Sequence, residues 1–198
     1  MLQGGLAVEA AGDFLARVRA NPLNAVLLDH LAGIGLADCW LVAGCLFQTC
    51  WNLRSGRPVD AGIADYDLFY FDDTDLSYEA EDREIQRLAA QFGPQLQLRN
   101  QARVHLWYPA RFGPGYPRLV DACDGINRFP VAGTCVGIAA DGRGGFRVHA
   151  PFGLEDMEAG LLRPNPLNLQ PDLFLAKARS YQQRWPFLQI VDTPASLP

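Results

Sequence analysis

Ala43-Gly44-Cys45-Leu46-Phe47-Gln48, a turn at Gly56-Arg57-Pro58, and Asp65-Tyr66-Asp67-Leu68-Phe69-Tyr70-Phe71 are the stretch on which the reading of this chain turns. Trp40 to Ala43 is a short apolar run ending at Gly44, and Leu46 to Leu53 then shows helical rather than alternating periodicity. Ser55 to Ala64, with Gly56, Pro58 and Gly62, returns the chain as a loop to a second strand at Asp65 to Phe71. A glycine at the mouth of a helix lets backbone N–H groups approach a phosphate. Two acids at i and i+2 on a strand point to one side and can share a divalent metal. Each half alone has a bland reading, since acids favour solvated strand faces and many helices begin after glycine. The ordered pair, separated by one helix and one turn, describes a nucleotide and metal site.

Working outward, Asp13 caps a short helix through Arg19, and Asn21-Pro22 opens another with Val26, Leu27, Leu28 and Leu31 on its apolar face. Thr74 or Asp75 starts a helix whose Glu79, Glu81 and Asp82 suit the positive end of its dipole, with Ile85, Leu88, Ala89 and Phe92 facing the core. Leu96 to Leu98 and Val104 to Tyr108 read as strands, Pro109 to Pro117 as a loop. Val131 to Ala139 and Phe146 to Val148 flank a hairpin turn at Asp141-Gly142-Arg143-Gly144-Gly145. Pro151 to Pro166 holds a short helix and loops. A last helix, about Asp172 to Arg184, is expected to pack back through Leu173, Phe174, Ala176 and Tyr181, with a poorly ordered tail after Asp192.

A chain of 198 residues, 49% apolar, is long enough for a sizeable core and favours one domain. The net charge of −5 argues against extensive nucleic-acid binding. Lys177 is the only lysine, so phosphate recognition would fall mainly to arginine. Cys39, Cys45, Cys50, Cys123 and Cys135 are odd in number and lack metal-ligand spacing, which points to free thiols in a reducing cytoplasm. Cys45, at a helix start, is a candidate for a lowered thiol pKa. No secretory signal is read, and the most apolar stretch, Leu31 to Phe47, is broken by Asp38 and glycines, so no membrane partner is expected.

The run Ala43 to Gln48, Leu53 to Pro58 and Asp65 to Leu68 resembles the polymerase-beta-type nucleotidyltransferase superfamily, in the version used by bacterial CCA-adding enzymes and poly(A) polymerases. A second block, Ile126 to Phe129, Gly142, Pro151 to Asp156 and Ala159 to Arg163, is similar to the segment that closes their head domain. Gln48 to Asn52, Asp65 to Asp73, Arg99 to Tyr108 and Ala150 to Leu154 are more similar still to a small bacterial family of stand-alone nucleotidyltransferase-like proteins of unassigned substrate. The resemblance implies an α/β head-domain fold, a mixed sheet flanked by helices with a C-terminal helix packed on it. Residues 1–166 would form the nucleotidyltransferase-like domain and 167–198 the C-terminal helix and tail of that domain. It implies Mg²⁺ on Asp65 and Asp67 as metal-binding and catalytic residues, a nucleoside triphosphate as ligand, and phosphate or nucleotide contacts at Gly44, Cys45, Arg57 and Arg128.

The departures are specific. Ala43 stands where the family has the first of two glycines, and Phe47-Gln48 replaces an Arg-Asp pair. Asp121 and Asp124 are the candidates for a third carboxylate. The sequence stops short of the helical region with which CCA-adding enzymes read base and tRNA, so neither base choice nor tRNA addition is implied. The reading is therefore a metal-dependent nucleotidyltransferase acting on an unidentified acceptor; the alternative is a catalytically inactive nucleotide-binding or regulatory protein retaining the fold. Arg99, Arg103 and His105 are candidates for the acceptor side of the cleft, with His105 more readily a packed strand residue. His30 and His149 lack partners at ligand spacing and read as structural.

Overall fold

The computed structural model describes residues 8–113, 115–168 and 170–196. A five-stranded sheet runs in the order β3-β2-β1-β4-β5, built from β1 (Trp40–Val42), β2 (Tyr66–Tyr70), β3 (Leu96–Asn100), β4 (Gly137–Ala140) and β5 (Phe146–His149). β2 and β3 are parallel; the other pairs are antiparallel, which makes the sheet mixed.

Local sequence explains the helices around it. Asn21 caps α2 (Pro22–His30) by accepting from the backbone of Leu23 and Asn24, with Pro22 at the first position, where its missing N–H costs nothing. Ser77 caps α4 (Tyr78–Phe92) by accepting from the Ala80 backbone. The strands alternate. Tyr66, Leu68 and Tyr70 of β2 and Leu96 and Leu98 of β3 enter the main core, where Phe14 and Val18 of α1 (Val8–Arg19) and Leu46, Phe47 and Trp51 of α3 (Gly44–Arg54) meet them. The opposite sheet face carries Asp67, Phe69, Gln97 and Arg99, because these are the intervening residues. Trp40 and Val42 share that face and pack under Ala122 and Ile126 of a short helix, Ala122–Ile126.

Several expectations need correction. Val104 to Tyr108 is not a strand: Asn100 caps a 3-10 turn at Gln101–Arg103, and the chain continues as α5 (Val104–Phe112). The branched and aromatic residues that suggested a strand are instead one side of that helix, at 104, 107 and 108. Of the expected strand at Val131 to Ala139, Val131 makes only an isolated bridge to Pro164, and a 3-10 turn at Ala132–Thr134 precedes β4. Asp13 lies inside α1 rather than at its start. On α6 (Pro171–Arg184), Ala176 is exposed; the buried stripe is Phe174 and Ala178, with Tyr181 half-buried on the rings of Phe47 and Trp51. Beyond it, Leu161–Leu162 and Gln189–Ile190 form a small parallel pair that sequence reading missed. Of the residues after Asp192, Ala195 N–H donates to Pro164 O; 197 and 198 lie outside the described residues.

Trp185 fastens this segment to α3. Its ring is fully buried against Trp51, and its indole N–H donates to Asn52 Oδ1 at 2.9 Å. The same Asn52 donates to Val59 O and Ala61 O, so one side chain fixes both the 55–64 loop and the end of α6. Trp185→Ala is expected to cost about 3–5 kcal/mol through lost burial and a stranded amide. Urea denaturation followed by fluorescence and by circular dichroism should move together, as one transition.

Candidate functional site

Strand register builds the site. Val42, the last residue of β1, pairs with Asp67, so the turn into α3 runs past the beginning of β2. Ala43, Gly44, Asp65 and Asp67 consequently line one cavity of about 380 Å³. Asp65 immediately precedes β2 and is exposed, while Asp67 is within it and half-buried. The sequence-predicted carboxylates and glycine are thus brought together.

The turn itself is strained. Ala43 has φ 62° and ψ −131°, a region that favours glycine, and offers no side-chain cap to α3. A Cβ on Gly44 would lie 2.6 Å from Gln48 Nε2, so the close approach there requires glycine unless that amide moves. The Gln48 amide is held, since its Oε1 accepts from the Arg184 guanidinium at 2.7 Å.

The opposite wall comes from α6, through Lys177, Ser180, Tyr181 and Arg184. Arg184 also donates to Gly62 O, which binds the loop to the helix. Burial, and then the neighbouring Asp65 carboxylate, push Asp67 up to about 6, against the pull of Arg99 and Lys177. Cys45, completely buried, has its thiol pushed up by desolvation and then by the Asp67 charge, the opposite of the lowering its helix position suggested. All five cysteines are free.

The remaining predicted residues fall elsewhere. Arg57 donates to Arg184 O at 2.7 Å and lies over the Trp185 ring, outside the cavity. Arg128 pairs with Asp124 at 3.0 Å and lines a neighbouring pocket. Asp121 accepts from the Asp124 backbone as a helix cap, so neither acid is a third carboxylate of this cleft. Among the described residues no group of three or more His, Cys, Asp or Glu side chains is arranged to hold a metal. Arg103 forms a buried ion pair with Glu81, and His105 sits on α5 with an unpartnered Nδ1, lining neither pocket. His149 Nε2 is hydrogen-bonded to Asn127 Oδ1. Sequence reasoning missed several lining residues, among them Ser180 and Phe69; for Phe69 the spacing of two from Asp67 was the available signal.

Residues 29–190 match a nucleotidyltransferase family, and the chain belongs to it. A solved NMR structure, described as revealing a CCA-adding enzyme head domain, is similar with a TM-score of 0.73 and 26% identity, covering 92% of this chain and 96% of that one. No curated protein matches the sequence. Among the described residues no helix is long and apolar enough to cross a membrane.

Two outcomes follow from this geometry. Because the folded Asp67 binds its proton more tightly than an unfolded aspartate, ionising it costs stability as pH rises from about 4 to about 6. In the absence of divalent metal, Asp67→Asn should raise the melting temperature at pH 8 and lose that advantage below pH ~4. The gain is bounded at about 3 kcal/mol and reduced by water in the open cleft. Ala43→Gly should be neutral or stabilising by up to about 1 kcal/mol in urea melts, as relief of strain offsets glycine's greater unfolded-state freedom, whereas Ala43→Val should destabilise.

Proposed function

We propose that this chain transfers a nucleoside monophosphate from a nucleoside triphosphate to an acceptor, with a divalent cation, Mg²⁺, held by Asp65 and Asp67. The observation that carries the reading is the shared cavity of the two carboxylates and the α3 turn. The donor set fits the cation: both ligands are hard carboxylate oxygens, and Asp67 is costly to ionise without a nearby positive charge. Two carboxylates are also the usual protein share for Mg²⁺, the rest of its shell coming from phosphates and water. When bound, the cation would neutralise phosphate charge as bond cleavage begins.

The backbone at Gly44 and Cys45 takes the β- and γ-phosphates at the positive end of α3. Lys177 and Arg184 add positive charge from the facing wall. Arg57 acts at one remove, by fixing the end of α6 through Arg184 O. Arg128 lines the adjoining pocket, which supports a contact on the acceptor side rather than with the triphosphate. A second reading, nucleotide binding without turnover, is favoured by the cleft's carboxylates, which among the described residues are only Asp65 and Asp67.

Isothermal titration with ATP separates the possibilities. With Mg²⁺ present, Asp65→Asn/Asp67→Asn should bind ATP at least about tenfold more weakly than the parent, and without Mg²⁺ the difference should vanish. Equal affinities with Mg²⁺ would refute the metal assignment. Incubation with each α-labelled nucleoside triphosphate and a cellular extract then distinguishes transfer, which yields labelled product, from binding alone.

A further inference from the structure

A second pocket, also about 380 Å³, adjoins the carboxylate cleft and shares Phe69, Phe129, Pro130 and Lys177 with it. Its position follows from the antiparallel register of β1 and β2. The α3 turn follows Val42, opposite Asp67, and therefore lies toward Asp65; Phe69, opposite Trp40, lies at the other end of the row. Asp65, Asp67 and Phe69 are alternate residues, so the row from phosphate turn to second pocket spans about 13 Å. In-line displacement at the α-phosphorus needs the acceptor oxygen on the side opposite the departing pyrophosphate. With the β- and γ-phosphates at the α3 turn, the second pocket is on that side.

The chemistry of this pocket differs from that of the first. Among the described residues its lining contains no Asp or Glu; it carries Arg99, Arg111, Lys177 and Arg128, the last held in place by Asp124 at 3.0 Å, in a chain whose net charge is −5. Aromatic rings share the lining with them. Trp107 and Tyr108 come from α5, and Tyr116 stacks on Tyr108 with ring centroids 4.0 Å apart. Arginine fans and aromatic rings together select a flat, negatively charged molecule. The volume is at the small end of ligand pockets and suits a small molecule.

We propose that the second pocket is the acceptor subsite, and that the acceptor is a small organic anion carrying a planar ring and a free hydroxyl. This rests on the nucleotidyl-transfer reading above. The hydroxyl oxygen forms the new bond to the α-phosphorus, the bond from that phosphorus to the bridging oxygen breaks, and pyrophosphate leaves with the electron pair. The hydroxyl proton passes to water.

Ligand-observed NMR on the full chain, with phenyl phosphate and benzoate as probes, tests the subsite and separates phosphate from carboxylate recognition. At least one should bind, while benzyl alcohol and benzylammonium should bind at least about tenfold more weakly, and Mg²⁺-ATP should not displace the anion. Arg111→Gln/Arg128→Gln should weaken the anion about tenfold, Arg111→Lys/Arg128→Lys should restore part of it, and Asp65→Asn/Asp67→Asn should leave it in place. Circular dichroism on each variant keeps loss of folding separate from loss of binding. Failure of both anions to bind, equal binding of benzylammonium, or displacement by Mg²⁺-ATP would each overturn the proposal. ATP binding is read separately, so anion binding without Mg²⁺-ATP binding would instead refute the nucleotidyl-transfer reading.

Discussion

The antiparallel pairing of β1 with β2, with Val42 opposite Asp67, is the constraint on which the rest of the site depends. A strand register cannot slip by one residue without exchanging its two faces. Here a slip would carry Asp67 and Phe69 into the apolar core and expel Leu68, which is fully buried. The burial of Tyr66, Leu68 and Tyr70 therefore holds the acids on the opposite face. Core packing and site geometry are two results of one alternation.

The helix that faces the acids is held just as firmly. Asn24 donates to Val18 O and Cys45 O, and Asn21 donates to Thr49 and to the Tyr66 hydroxyl, all in the interior. These bonds join α1, α2, α3 and β2 near the start of α3. An interior polar group without a partner is costly, so the network resists any rotation of α3 that would break it. The strained Ala43 conformation persists inside this frame.

Much of this was legible in the sequence because it was written in short-range patterns. The Asp65 and Asp67 spacing, the apolar run before Gly44, the Asn21-Pro22 cap and the Asp141 to Gly145 turn each act within a few residues, and each lies where local chemistry puts it. What was illegible depended on partners distant in sequence. The resemblance implied a phosphate contact at Arg57, but its side chain donates to the carbonyl of Arg184, 127 positions away. Val104 to Tyr108 looked extended because nothing in its composition announces that Asn100 caps a turn just ahead of it. Arg103 looked free because its counter-charge, Glu81, belongs to a helix whose acids were otherwise explained by the dipole.

The wall formed by α6 carries a consequence for biosynthesis. Domains acquire structure as the chain leaves the ribosome, N-terminal parts first, at roughly 5–20 residues per second. The two carboxylates emerge early, but Lys177 and Arg184 trail them by more than a hundred positions. During that interval a nascent chain holds acids without the facing cations. Arg99 of β3 arrives sooner, but the cations of the facing wall are in place only when α6 docks, and any affinity for a triphosphate that depends on them should arise then, late in translation.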